Sequence, residues 1–395
     1  MPRGGVGSTS APCCDFVGAA AGHAGGGFSL ADSVPLQAPP PRAFPAPSIG
    51  HVQLASPVLQ AALSGYSDRA MRVLARRYGA AYCLGEVLLD AFVITADRSK
   101  RNNARLALSA EEHPVGAQLM GSNPDDFPPA ARRLVAEGYD VIDINFGCPV
   151  KKVLGRCRGG YLLSVPQTAL EIVARVRDAV PANIPVTLKM RRGIDDSEES
   201  AERFWTIFDG AFERGAAAIT VHGRTVQQKY VGPSNWEFLA AVKRHAGNRT
   251  VFGSGDLFSA AACLAMLERT GVDGLSIARG AIGNPWIFRQ TLALLAGEPA
   301  LPPPTIHEQA DALRDHWSLA VELHGENLAG RQMRKFAIKY ARLHPEHLAV
   351  RDAFVSAKTN DDWQGAIARH YAADGPGRDP AADIDETASC DEGEG

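Results

Sequence analysis

A cysteine set between glycine and proline, in Asn145-Phe146-Gly147-Cys148-Pro149, is the first residue whose type and setting suggest chemistry. A thiol with the ordinary pKa of about 8.5 is mostly protonated at neutral pH, so it serves as a general acid as well as a nucleophile. Free cysteine is often just a small buried apolar group, but a loop position between Gly and Pro argues against packing alone. Cys157 reads as incidental, with an oxidised Cys148–Cys157 pair conceivable. Lys189 ends an otherwise apolar run, where an ammonium is costly unless it meets an anion, either a ligand or a structural ion pair. His222 ends another such run and is either structural or a hydrogen-bond partner of the same ligand.

Two glycine-bearing groups follow, Gly253-Ser254-Gly255-Asp256 and Ala278-Arg279-Gly280. Glycines let backbone N–H groups approach an anion, and Arg279 adds charge-assisted hydrogen bonds, so the pair reads as a phosphate site. Alone, Gly253-x-Gly255 is equally a turn. Farther on, Arg331, Lys335, Lys339 and Arg342 follow i, i+4, i+8 and i+11, which on a helix gathers them on one face with Arg334 nearby. Such a stripe can track nucleic-acid phosphates or simply be a solvated face. Lys151 and Lys152, just after Cys148, offer a second contact of the same kind.

These residues share a place in a rhythm. Apolar runs recur at Pro57–Leu63, Tyr82–Val87, Val115–Met120, Val141–Phe146, Pro185–Met190, Ala218–His222, Thr250–Gly253 and Gly274–Ala278. Amphipathic segments such as Arg69–Tyr78 and Thr168–Val180 separate most of them. Eight apolar strands alternating with helices predict an α/β protein, a closed (β/α)8 TIM barrel. In that fold the active site lies at the C-terminal strand ends. Those ends carry Ser64, Glu86, Gln118, Asn145, Lys189 with Arg191 and Arg192, His222 and the two glycine groups.

After Pro302-Pro303-Pro304 the pattern becomes helical: His307–His324, Gln332–Leu343, then Ala349–Val355 with Trp363 beyond. The chain therefore divides into a low-complexity extension (1–48), a barrel (49–300), a small C-terminal helical domain (304–372) and an acidic tail (373–395). The extension is Gly-, Ala-, Pro- and Ser-rich, and both ends are expected to be disordered. The tail holds Asp383, Asp385, Glu386, Asp391, Glu392 and Glu394, and without those six acids the formal charge of −3 becomes +3. Charge thus leaves a nucleic-acid partner open. No run approaches the ~18 apolar residues of a membrane span. Seven cysteines without regular spacing form neither a disulfide framework nor a zinc pattern, so the expectation is a cytoplasmic protein without a metal.

The run Asp143-Ile144-Asn145-Phe146-Gly147-Cys148-Pro149-Val150-Lys151-Lys152-Val153 resembles the tRNA-dihydrouridine synthases of the B-type bacterial branch. So do Val186-Thr187-Leu188-Lys189-Met190-Arg191, Val221-His222-Gly223-Arg224-Thr225, Gly253–Phe258 and Ala278–Phe288. The resemblance implies an FMN enzyme that reduces tRNA uridines, with NADPH or NADH recharging the flavin and Cys148 protonating C5 of the uracil. It implies flavin contacts from Ala62, Leu63, Ser64, Gln118, Lys189, His222, Ser254, Gly255, Asp256, Ala278 and Arg279. Asn145, Lys151, Lys152, Arg331, Lys335, Lys339 and Arg342 would meet the tRNA, and no obligate protein partner is evident. Three stretches depart from the family pattern. Ala61-Ala62-Leu63-Ser64 stands for A-P-M-A, Gly159-Gly160-Tyr161-Leu162-Leu163 for G-S-A-L-L, and Ser254 for the asparagine before Gly-Asp. A flavin enzyme of free pyrimidines, or an RNA-binding protein on an inherited barrel, are the alternative readings.

Overall fold

The computed structural model describes residues 44–97 and 99–379. A hairpin of β1 (Ser48–Ile49) and β2 (Val52–Gln53) precedes eight parallel strands that close into a barrel. These are β3 (Val58–Gln60), β4 (Tyr82–Leu89), β5 (Val115–Met120), β6 (Val141–Phe146), β7 (Val186–Arg191), β8 (Ala216–His222), β9 (Thr250–Ser254) and β10 (Gly274–Ile277). Each strand pairs with the next, and β10 closes on β3. Between and after them run α1 (Arg69–Arg77), α2 (Asp90–Thr95), α3 (Lys100–Leu106), α4 (Phe127–Ala136), α5 (Lys151–Leu154), α6 (Pro166–Ala179), α7 (Glu198–Glu213), α8 (Trp236–Ala246), α9 (Ala260–Thr270) and α10 (Trp286–Leu295).

All eight expected runs hold a strand. The first keeps only three ladder residues because the chain turns back at Leu63, whose carbonyl accepts the N–H groups of Tyr66 and Ser67 at 3.0 Å each. Strand β4 runs on to Leu89 across a register shift between Leu84 and Val87. Alternation sorts the side chains. In β6, Ile142, Ile144 and Phe146 join the apolar layer that includes Phe127, Ala130 and Leu134 of α4, while Asp143 and Asn145 occupy the alternate positions. A second apolar layer, with Ile49, Leu54, Leu59, Tyr82, Leu84, Val141, Ala218 and Phe252, fills the N-terminal end. The hairpin covers that end: Ser48 accepts from Thr250 Oγ1, at the start of β9, at 3.2 Å.

Helices α11 (Ile306–His324), α12 (Glu326–Tyr340), α13 (His347–Ser356) and α14 (Asn360–His370) follow. A capping box of Thr305 and Glu308 starts α11, and Gly325, at φ 81°, ends it. This unit rests on the barrel's first and last loops. Glu322 pairs with Arg69 at 2.7 Å, Phe336 meets Tyr66 edge-on, and a Cβ at Gly283 would fall 2.5 Å from the Tyr340 nitrogen.

Two boundaries shift. Residues 44–48, expected in the leading extension, include the first hairpin strand. Residues 373–379, expected in the acidic tail, are held by Gly375, which accepts from Ile306 N, and by Arg378, whose N–H donates to Leu343. The rest of both tails lies outside the described residues.

Candidate active site

The inward positions of β5, β6 and β7 are polar, and the strand register sets them side by side. Gln118 pairs with Asp143, Asp143 with Thr187, and Asn145 with Lys189 one step nearer the C-terminal mouth. The Asp143 carboxylate accepts from Thr187 Oγ1 at 2.5 Å and from Gln118 Nε2 at 2.6 Å. Gln118 Oε1 accepts from Asn145 Nδ2 at 2.7 Å. Asn145 Oδ1 accepts the backbone N–H groups of Gly147 and Cys148 at 2.9 and 3.0 Å. Burial pushes Asp143 up to about 6, against the pull of its two hydrogen bonds and of Lys189.

Above this layer the mouth is cationic. Burial and the nearby Arg191 bring the Lys189 ammonium down to about 8, with Asp143 opposing. Among the described residues the Lys189 ammonium makes no hydrogen bond or ion pair. Arg191, lowered to about 10 by burial, remains charged and clamps three carbonyls: Gly147 at 2.9 Å, Thr225 at 2.8 Å and Lys229 at 2.7 Å. His222 Nδ1 accepts the Arg224 N–H at 3.1 Å, which leaves the ring proton on Nε2. Burial, then the surrounding cations, hold His222 well below its usual pKa, so its imidazole is neutral.

Beside His222 the two glycine-bearing loops line an open recess. A Cβ at Gly280 would fall 2.0 Å from the Leu257 carbonyl, and Gly255 sits at φ 116°, so glycine is required at both. The Arg279 guanidinium stacks on Tyr230 at 4.6 Å and Phe258 at 5.1 Å and pairs with no carboxylate among the described residues. Ala278 lines the recess as well. The side chains of Ser254 and Asp256 have other partners. Ser254 Oγ donates to Ser276 O at 3.1 Å, and the Asp256 carboxylate takes Arg224 Nη2 and Ser234 N at 2.7 Å each.

Cys148 is partly exposed at the rim, and its carbonyl accepts Gly160 N at 3.0 Å. A Cβ at Gly159 would stand 2.8 Å from the Cys148 Cβ, so the Gly159-Gly160 pair lets the loop fold back on the cysteine. Both Cys148 and Cys157 are free thiols. Lys151 and Lys152 follow on α5, both exposed. Across the mouth Ala62 and Leu63 are partly exposed and Ser64 exposed. The Leu63 N–H already donates to Ser67 Oγ at 2.8 Å, and buried Arg72 fixes this loop by donating to the Ser67 carbonyl at 2.9 Å.

The helical stripe differs from expectation. Arg331, Lys335 and Lys339 lie on α12, but Arg342 falls in the 3-10 turn Ala341–Leu343, so i+11 does not continue the face. Only Arg331 of the four is fully exposed. The Lys335 ammonium donates to the Gly65 carbonyl and to Gln332 Oε1 at 3.0 Å, over the Tyr66 ring, and ties α12 to the first loop.

Asp143, Arg224 and Tyr230 were not among the sequence candidates, and Arg191 stood among the strand ends without a role. Asp143 and the role of Arg191 were within reach, since Asp143 shares the inward parity of Asn145 and Arg191 that of Lys189. Among the described residues no cluster of His, Cys, Asp and Glu forms a metal site.

Comparison with known proteins gives a consistent result. The sequence profile described as dihydrouridine synthase (Dus) matches residues 59–372. A probable tRNA-dihydrouridine synthase of Mycobacterium tuberculosis (strain CDC 1551 / Oshkosh) is 38% identical over 326 residues, 80% of this chain and 83% of that protein. The tRNA-dihydrouridine synthase B of Xanthomonas axonopodis pv. citri (strain 306) is 33% identical over 323 residues, 82% of this chain and 95% of its own. Among solved structures, the 6-hydroxypseudooxynicotine amine oxidase of Pseudomonas geniculata N1 aligns with a TM-score of 0.51 at 13% identity. That alignment covers 69% of this chain and 52% of the oxidase, and it speaks to the fold alone.

Proposed function

The chain belongs to the dihydrouridine synthase family, and from that premise we propose that it reduces selected uridines of tRNA to 5,6-dihydrouridine at the C-terminal mouth of its barrel. The observation that carries the reading is two cations with no carboxylate within ion-pair distance among the described residues, Lys189 and Arg279, around a mouth whose rim holds Cys148. Cations so placed are costly unless a bound anion meets them.

FMN fits this arrangement. Its phosphate suits the recess between the Gly255 and Gly280 loops, beside Arg279 and main-chain N–H groups of residues 255–258. Its ring suits Lys189, the Nε2–H of His222, Gln118 and the Ala62–Ser64 loop. The Leu63 N–H is engaged by Ser67, so at that loop Ala62 is the freer main-chain contact. Bound there, FMN would supply the hydride for C6 of the uracil, with NADPH or NADH as the source of electrons.

The protein's own groups do the rest. Cys148 Sγ holds the proton that C5 takes up. Asn145 fixes the cysteine backbone and borders the target base. Lys189, protonated below about 8, neutralises negative charge on the ring. A base inside this mouth must first leave its stack. Lys151, Lys152, Arg331, Lys339 and Arg342 then contact tRNA phosphates, with Lys335 bracing the helical unit against the barrel, and affinity falls with salt. Among the described residues no helix is long and apolar enough to cross a membrane.

The test is the visible spectrum of the purified protein after incubation with FMN, followed by NADPH-driven reduction of unmodified tRNA. Bound flavin and new dihydrouridine support the reading. A protein that takes up no flavin refutes it.

A further inference from the structure

The hydrogen-bond line through the barrel has a fixed end at each side. At one end stand the N–H groups of Gly147 and Cys148, which can only donate; at the other stands a carboxylate, which only accepts when ionised. Between them lie two amides, Gln118 and Asn145, each of which has two orientations. With Asp143 ionised, one arrangement satisfies every link: Gln118 nitrogen toward Asp143, Asn145 nitrogen toward Gln118, Asn145 oxygen toward the Cys148 backbone. Turning either amide sets oxygen against oxygen or donor against donor.

A neutral group at 143 removes this restriction. It can donate to Gln118 Oε1, after which Gln118 Nε2 points at Asn145 Oδ1. That turn would leave Asn145 Nδ2 facing the two backbone N–H groups, so once 143 is neutral those two donors alone hold Asn145 Oδ1 on the cysteine loop, and the anchor is weakened. The groups that face Asp143 are Lys189 from β7, the buried Tyr82 phenol from β4, and the uncharged Gln60, Thr220 and Ser276. Tyr82 is held well above its usual pKa by burial and stays neutral, so among the described residues Lys189 is the one charge opposite.

We propose that Asp143 is a positioning residue for uridine reduction: its carboxylate sets the polarity of Gln118 and Asn145 and so holds the backbone of Cys148. The catalytic part of this rests on the reaction assigned above; the structural part does not.

The test uses the full-length, FMN-loaded protein and two variants. Asp143→Asn keeps shape and removes charge, whereas Thr187→Val removes one donor that lowers the Asp143 pKa and keeps the charge when the comparison is made well above pH 6. Hydrogen exchange of a peptide spanning Gly147 and Cys148 reads the anchor directly. Asp143→Asn should exchange about tenfold faster or more there, with Thr187→Val close to wild type. Single-turnover reduction of tRNA by the pre-reduced protein should fall by about the same factor in Asp143→Asn alone. In the wild type, both protection corrected for intrinsic exchange and turnover should decline as pH falls through about 6. That limb should be absent from Asp143→Asn, and it keeps the proposal testable if the variant folds poorly. Unchanged protection in Asp143→Asn, or in the wild type at pH 5, overturns the relay. Faster exchange with wild-type turnover overturns its role in catalysis. A wild type that binds FMN but reduces no uridine overturns the assigned reaction, while the exchange data still decide the relay.

Discussion

Replacing Arg279 with methionine separates binding from folding. The guanidinium lies between the rings of Tyr230 and Phe258, 4.6 and 5.1 Å from their centroids, and meets no carboxylate among the described residues. The two ring contacts offset the cost of holding a partly buried charge by ~0.5–1 kcal/mol each. Methionine keeps much of the stem and makes its own sulfur–aromatic contacts, so the flavin-free protein should lose less than about 1 kcal/mol. A phosphate in the adjoining recess would lose one or two charge-assisted hydrogen bonds, each ~1.5–3 kcal/mol. A loss of about 3 kcal/mol weakens binding by about two orders of magnitude. The assay is a fluorescence titration with FMN, paired with thermal melts with and without the ligand. At a ligand concentration a thousandfold above the wild-type Kd, FMN should stabilise the wild type by ~4 kcal/mol and the variant by about 1 to 1.5. Equal affinity would refute a phosphate in this recess. Equal loss of stability with and without FMN would make Arg279 a folding residue.

Three further outcomes are expected. Cys148→Ala should retain FMN and its reduction by NADPH, yet slow dihydrouridine formation by ~10²–10⁴-fold in a single-turnover assay; normal turnover would end the general-acid role. Lys189 binds its proton less tightly when folded, down to about 8, so the flavin-free protein should gain stability as pH rises from about 8 toward its unfolded pKa of ~10.4. FMN affinity should fall over the same range as the cation is lost, and Lys189→Met should abolish both trends in melts and titrations. Arg72→Met should cost ~3–5 kcal/mol in denaturant unfolding, because it strands Glu112, whose side chain is 0% exposed and whose partner stands 2.6 Å away.

How much of this was legible beforehand depends on the physical range of each interaction. Strand alternation is local, so the barrel and the inward set of Gln118, Asn145 and Lys189 followed from period and position. The same parity pointed at Asp143, which went unread because an acid within a strand looks like an ordinary surface residue until closure turns it inward, and Arg191 was legible as a strand end but not as the clamp on three carbonyls. Other features depend on contacts distant in sequence. Asp256 resembles a ligand-binding acid in its motif, but its carboxylate is taken by Arg224, thirty-two positions earlier, through a salt bridge of 2.7 Å. Lys335 reads as one charge of a stripe, but it reaches Gly65 in the first barrel loop. Arg342 leaves the stripe because α12 tightens into a 3-10 turn after Tyr340, a break that i+4 counting does not register.

The hairpin at the far end makes the barrel a vessel with one opening. Between Asp143 and that end lie Ile49, Leu54, Leu59, Tyr82, Leu84, Val141, Ala218 and Phe252, each 5% exposed or less. Protons bound for the interior therefore enter by the route that the flavin and the nucleotide take. If a docked tRNA closes the mouth, the ionisation state of the core is held for the lifetime of the complex. Each encounter then carries the acidity of the moment of docking, and a pH jump imposed afterwards should reach the chemistry only as fast as the tRNA departs.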